Sequence, residues 1–184
     1  EILEGGLSPE ATVMSWRGTS GGISAALQKH DVIMTPGSGG LYLDHYQGDY
    51  KIEPVTIPSA PAYLSRTYNY EPVPDTIKSL GLEKHILGVQ CNNWSEYMYS
   101  NAKMEYQMYP RSLALAEIAW SPAKKKNFTD FARRVDANSV RLDERHVRYH
   151  IPLPEQPYGS CDKVVITKDT VVTFQTSRPM KMVY

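Results

Sequence analysis

Three observations predict a parallel α/β fold. Short apolar runs at Ala11 to Trp16, Asp31 to Thr35 and His85 to Gln90 each stop at residues that turn or loop the chain. The segments after the first and third runs carry helical spacing of apolar residues. Strand, helix, strand, loop, strand, helix is the order in which crossovers return a chain to the same end of a parallel sheet.

The first run, Ala11-Thr12-Val13-Met14-Ser15-Trp16, leads through a glycine turn into a helix-like stretch from Ile23 to Lys29. The second run is stopped by Pro36-Gly37, since proline removes a ladder donor and glycine frees the backbone. From Ser38 to about Pro74 the chain is rich in Gly, Pro and Tyr without periodicity, and a loop of that length inside a domain is usually functional. After the third run a helix is expected near Lys103–Trp120, with Leu113, Ala114, Ala116, Ile118 and Trp120 forming an apolar surface suited to a sheet. Ser121-Pro122 ends it. Asn127-Phe128-Thr129-Asp130 opens a second amphipathic helix to about Glu144, anchored by Phe128, Phe131, Val135 and Leu142.

Beyond Tyr149 the texture changes. Ile151-Pro152-Leu153-Pro154 reads as a stiff connector, and 163–166 and 171–175 read as short strands around Lys168-Asp169. A domain boundary is therefore expected near residue 151, with residues 1–150 in an α/β domain and 151–184 as linker and the start of a small β-rich domain. Both ends of the chain read as cut from a longer protein.

Twenty basic and twenty acidic residues cancel, which leaves no electrostatic case for nucleic acid or an anionic membrane. No apolar run reaches membrane-spanning length. Cys91 and Cys161 match no metal spacing and indicate no disulfide framework. His146 and His150 have the i, i+4 spacing of a helical metal pair, but Pro152 and the β-like residues between them argue against a helix, so neither metal nor cofactor is expected. His30 and His85 precede strands and are expected to satisfy local backbone groups. Thirteen tyrosines against three tryptophans and three phenylalanines favour partly wet aromatic surfaces, as in a carbohydrate cleft.

The ends of the three predicted strands release Trp16-Arg17-Gly18, then Leu41-Tyr42-Leu43-Asp44, then Trp94-Ser95-Glu96. In parallel α/β folds ligands bind at those ends. An indole covers the C–H face of a sugar ring while a nearby carboxylate accepts hydroxyl protons, so two indoles, a phenol and two carboxylates at one mouth suit a sugar.

In these segments the chain resembles glycoside hydrolase family 20, the β-N-acetylhexosaminidases. The resemblance runs through Met14-Ser15-Trp16-Arg17-Gly18, the stretch from Gly21-Gly22 to Met34, and Leu41-Tyr42-Leu43-Asp44. It continues in Leu87-Gly88-Val89-Gln90 with Trp94-Ser95-Glu96, and in Tyr109-Pro110-Arg111 leading to Trp120-Ser121. It implies the C-terminal part of a (β/α)8 TIM barrel, about strands six to eight with their helices. By position Tyr42 resembles the phenol that donates to the substrate's acetamido oxygen. Trp16 and Trp94 resemble the indoles that wall the acetamido group and floor the ring, and Asp44 and Glu96 the carboxylates that accept from the outer hydroxyls. The family's catalysis is substrate-assisted, a departure from the two-carboxylate scheme. Its substrates are terminal N-acetylglucosaminides and N-acetylgalactosaminides, and its members commonly act outside the cytoplasm or in lysosomes.

One departure is decisive. The family's adjacent Asp-Glu pair has no match here, because the only Asp-Glu dipeptide, Asp143-Glu144, lies on a predicted helix. The chain is therefore expected to be an inactive fragment of a retaining exo-β-N-acetylhexosaminidase. A non-catalytic carbohydrate-binding module and a purely structural piece remain as rivals. Three strands also leave two sheet edges and one apolar face open, which predicts self-association or a missing partner segment.

Overall fold

The computed structural model describes residues 2–152. The strands expected at 163–166 and 171–175, Cys161 and the β-rich domain lie outside the described residues.

The three expected strands are present, as β1 (Val13–Ser15), β2 (Val32–Met34) and β3 (Ile86–Val89). They pair in parallel in the order β1-β2-β3, with Val13 opposite Val32, Met14 opposite Ile33 and Ser15 opposite Met34. The β2–β3 register slips between Val32, opposite Ile86, and Ile33, opposite Gly88. Helix α1 (Thr19–Leu27) connects β1 to β2 and starts four residues earlier than its apolar spacing suggests. Glycine makes that start possible. A Cβ on Gly22 would fall 2.6 Å from the Met34 sulfur and 3.1 Å from the Ser15 Cβ, so the first turn of α1 lies directly on the sheet. Ser15 Oγ accepts from the Gly22 N–H at 2.7 Å, tying the first turn of α1 to the end of β1.

Period-2 alternation then decides the two faces. Val32 and Met34 are buried against Ala25, Ala26 and Ile77, with Leu3, Val13, Ile23, Leu82 and Ile86 packed around them. Among the described residues the other face is uncovered, and Met14 and Leu87 are 44% and 57% exposed.

Between β2 and β3 the segment expected as irregular contains α2 (Leu64–Asn69), and α3 (Asp75–Ser79) follows it. The helix expected over Lys103–Trp120 is two, α4 (Asn101–Met108) and α5 (Arg111–Trp120). Pro110 separates them, since its ring and missing N–H bar it from a helix interior and hold Tyr109 extended. Helix α6 (Phe128–Glu144) follows as expected, with the Asn127 side chain accepting from the Asp130 N–H at 3.1 Å as its N-cap.

The apolar surface of α5 meets helices more than the sheet. Ala114 joins Leu64 and Tyr68 of α2 and Phe131 and Val135 of α6 in a second core, where the Tyr68 and Phe131 rings stack at 4.6 Å. Trp120, expected to pack with that surface, is 89% exposed. The histidines also differ from expectation. His85 Nδ1 lies 3.2 Å from Asp31 Oδ1, and His30 Nδ1 is buried without a hydrogen-bond partner among the described residues.

Candidate functional site

The parallel register carries three loops to one end of the sheet. Trp16 follows β1 directly. After β2 the chain makes a short excursion and returns beside the β3 exit, where Tyr42 and Asn92 form a parallel bridge. The Asn92 N–H donates to the Leu41 carbonyl at 2.9 Å, and the Leu43 N–H to the Asn92 carbonyl at 2.7 Å. Those two bonds extend the β2–β3 pairing past the strands and fix Tyr42 and Asp44 against Trp94.

Four of the five expected site residues meet there. The Tyr42 hydroxyl donates to the Trp16 carbonyl at 2.7 Å. The Tyr42 ring stands edge-on to the Trp94 indole, with centroids 6.4 Å apart at 82°. Asp44 lies beside Trp94, whose main chain favours its ionised form. Gly37 passes so close over Tyr42 that a Cβ there would fall 2.9 Å from the ring. The fifth residue, Glu96, is exposed on the rim but near enough to Asp44 to act on its charge. It borders a shallow hollow with Val55, Tyr97, Met98 and Tyr99. Both indoles are about half open to solvent, Trp16 at 46% and Trp94 at 47%, and the Arg17 guanidinium lies 4.9 Å from the Trp16 ring centre.

Electrostatics follow from burial. Asp44 is 3% exposed. Burial raises its carboxyl above the ordinary value and Glu96 adds to the rise, while the neighbouring main chain and Arg111 oppose it. Its Oδ1 is buried without a hydrogen-bond partner among the described residues. Tyr42 is also raised, by burial first and the Asp44 charge second, so its phenol keeps its proton at neutral pH. The site thus offers two half-open aromatic faces, one phenolic donor, one buried acceptor and one rim carboxylate. Those are the groups that fix ring, amide and hydroxyls of a sugar.

Asp143 and Glu144 close helix α6, and Asp143 accepts from the Tyr149 hydroxyl at 2.9 Å. They take no part in the strand-end cluster. His146 has left the helix at a φ of 55°, and His150 pairs instead with Glu53 at 3.0 Å, so the two histidines form no helical pair.

Sequence reasoning missed the layer beneath the site. Arg111 is wholly buried, and with Gln107 and Thr56 it binds the main chain around Asp44. Glu53, Tyr106 and His150 form a neighbouring buried cluster in which the Tyr106 hydroxyl donates to Glu53 Oε2 at 2.9 Å. Local patterning carries no sign of either group, apart from the Tyr109-Pro110-Arg111 run.

Comparison with known proteins bears on this arrangement. Residues 1–123 match the catalytic domain of glycosyl hydrolase family 20. The chain is 59% identical over 186 aligned positions to a β-hexosaminidase of Porphyromonas gingivalis, covering all of this chain and 23% of the relative. It is 36% identical over 110 positions to a β-hexosaminidase of Vibrio furnissii, covering 60% of this chain and 18% of that one. Among solved structures, the exo-β-N-acetylglucosaminidase of Vibrio harveyi in complex with N-acetylglucosamine superimposes with a TM-score of 0.72 at 29% identity, over 78% of this chain and 22% of that one. The chain therefore spans less than a quarter of the length of these relatives. With two thirds of its residues inside the matched catalytic domain and the site cluster within that stretch, the chain belongs to glycoside hydrolase family 20.

Proposed function

We propose that this chain supplies one side of the sugar pocket of a retaining exo-β-N-acetylhexosaminidase, as sixth to eighth strands of its TIM barrel. Residues 1–150 belong to that catalytic domain and 151–184 lead into a following β-rich domain. The convergence of Trp16, Tyr42, Asp44 and Trp94 at the C-terminal ends of three parallel strands carries this reading.

Trp94 floors the pyranose ring and Trp16 walls the acetamido methyl, each through a half-open indole face. Asp44 and Glu96 accept from hydroxyls on the far side of the ring. The Tyr42 phenol donates to the acetamido oxygen and holds it in line with the anomeric carbon. That oxygen attacks C1, the glycosidic bond breaks, and the departing oxygen takes a proton from an acid supplied outside this chain. Water then opens the oxazolinium ring with overall retention.

The Asp-Glu pair needed for proton transfer and for orienting the acetamido nitrogen is not in this sequence, so the chain alone turns over no substrate. The test has two arms. The longer polypeptide containing this chain is expected to bind N-acetylglucosamine and its thiazoline analogue, with Trp94→Ala weakening both about 10-fold or more. Purified chain is expected to leave a chromogenic N-acetylglucosaminide intact. Turnover by the pure chain, abolished by Tyr42→Phe, would overturn the claim of inactivity. Unchanged binding in Trp94→Ala would overturn the pocket.

A further inference from the structure

The strand-end cluster stands on a buried cation that the sugar chemistry does not call for. Arg111 begins α5 and is 0% exposed, yet among the described residues its guanidinium meets no carboxylate. Its Nη donors go to main-chain oxygens. Nη1 reaches the carbonyls of Ala62 at 3.3 Å and Tyr42 at 3.5 Å. Nη2 reaches those of Leu43 at 2.5 Å, Gln107 at 3.0 Å and His45 at 3.2 Å. The one carbonyl missing from the run 42 to 45 is that of Asp44. It accepts from the Thr56 hydroxyl and from Gln107 Nε2 at 3.3 Å, while the Gln107 carbonyl is in turn held by Arg111.

Four consecutive carbonyls are thus fixed by one polar layer in a segment with little sheet pairing of its own. A buried carbonyl must find a donor, and a planar fork with several N–H groups can serve carbonyls at several angles where an ammonium cannot. Because the donors lie on both sides of Asp44, they set the spacing of the Tyr42 and Asp44 side chains.

We propose that Arg111 and Gln107 are positioning residues for the sugar pocket, locking Tyr42 and Asp44 in mutual register through the carbonyls of residues 42 to 45. The inference rests on the reading that Tyr42 and Asp44 contact the ligand. Arg111 also favours the ionised form of Asp44 through its charge, against the larger effect of burial.

The test uses the longer polypeptide containing this chain, with Arg111→Lys, Arg111→Met and Gln107→Leu. Affinity for N-acetylglucosamine and its thiazoline analogue is followed by calorimetry across pH, beside the melting temperature. Variants that place the pocket badly are expected to lose affinity about 10- to 100-fold, the scale of a misplacement near 1 Å. Arg111→Met is expected to move the pH midpoint for binding upward, because the cation favouring ionised Asp44 is gone. Arg111→Lys keeps a charge there and is expected to lose affinity with a smaller shift of midpoint. Gln107→Leu removes only one donor, and its result stands if neither Arg111 variant folds.

Wild-type affinity and midpoint in Arg111→Lys and Gln107→Leu would overturn the proposal, as would losses of affinity that vanish below the melting transition. Asp44→Asn and Tyr42→Phe separate this failure from a failure of the pocket reading. If both bind the sugar like wild type, the pocket is misassigned and the positioning role falls with it.

Discussion

The Tyr42 hydroxyl donates to the carbonyl oxygen of Trp16 at 2.7 Å, joining residues that leave two different strands. A phenol has one proton to give. While Trp16 holds it, that proton is not available to a ligand, and an acetamido oxygen would have to take it over. The Trp16 carbonyl is not left bare by the exchange, because it also accepts from the Gly37 N–H at 3.3 Å. The hydrogen bond therefore keeps the Tyr42 ring upright against Trp94 in the free site and can be surrendered at small cost.

Tyr42→Phe should separate these two duties. The bond is solvent-exposed, so its loss is expected to change folding stability by about 1 kcal/mol or less. In the longer polypeptide the same change is expected to lower kcat about 10²-fold, the scale of losing alignment of a reacting group. Denaturant melts and steady-state kinetics read the two effects. A large loss of stability with unchanged kcat would assign Tyr42 to the scaffold.

The Glu53–His150 pair predicts an acid limb to stability. Burial pushes the Glu53 carboxyl up, but the hydrogen bond and charge of His150, with the Tyr106 hydroxyl, outweigh it and hold the group below its ordinary value. A depressed carboxyl contributes stability above its unfolded value and loses it as pH falls through the folded one. Glu53→Gln is expected to cost about 2 kcal/mol at neutral pH, the scale of a lost hydrogen bond to a charged group. It should also flatten the fall of stability below the carboxylate range. Urea titrations across pH check both, and a double-mutant cycle with His150→Gln isolates the pair.

How much of this was legible follows from how far each feature reaches along the chain. The three strands could be read because each is a short apolar run, and the aromatic and acidic residues that follow them within about ten positions could be read with them. Helix α2 could not. Six residues are too few to show a period, and its place depends on Tyr68 stacking on Phe131 and on Thr67 Oγ1 donating to the Gly40 carbonyl at 2.7 Å. Pro110 did mark the break between α4 and α5, and the apolar pattern running through it masked the signal. Arg111 was least legible, since four of its five acceptors lie 49 to 69 positions away and no local spacing encodes them.

The open face of the sheet predicts association of the isolated chain. Met14 and Leu87 sit exposed on the face away from α1, and among the described residues β1 and β3 are edges of a three-stranded sheet. Unpaired strand edges beside apolar side chains recruit further strands. Sedimentation velocity on the purified chain is expected to show concentration-dependent oligomers, reduced by Met14→Gln combined with Leu87→Lys. A monodisperse monomer across the concentration range would contradict this.

Asp44→Asn should trade affinity for stability, in a pH-dependent way. Burial holds the Asp44 carboxyl above its ordinary value, so ionising it costs more in the folded chain than in the unfolded one. The sign then follows. Below the unfolded value both states are protonated and the site costs nothing. Stability falls as pH rises between the unfolded and folded values, and the full cost is present above the folded one. Asparagine carries no charge at any pH, so the substitution is expected to stabilise the chain near pH 7 by about 1 kcal/mol, the scale of an unsatisfied buried acceptor, and to bring no such gain at pH 3. Binding should move the other way. An amide offers one acceptor oxygen where the carboxylate offers two, so affinity for N-acetylglucosamine in the longer polypeptide is expected to drop about 10-fold, as when one charged hydrogen bond is lost. Thermal melts at pH 3 and pH 7 with calorimetric titration read both halves. A change in stability relative to wild type that is the same at the two pH values, with affinity unchanged, would show that the Asp44 carboxylate is an ordinary loop cap.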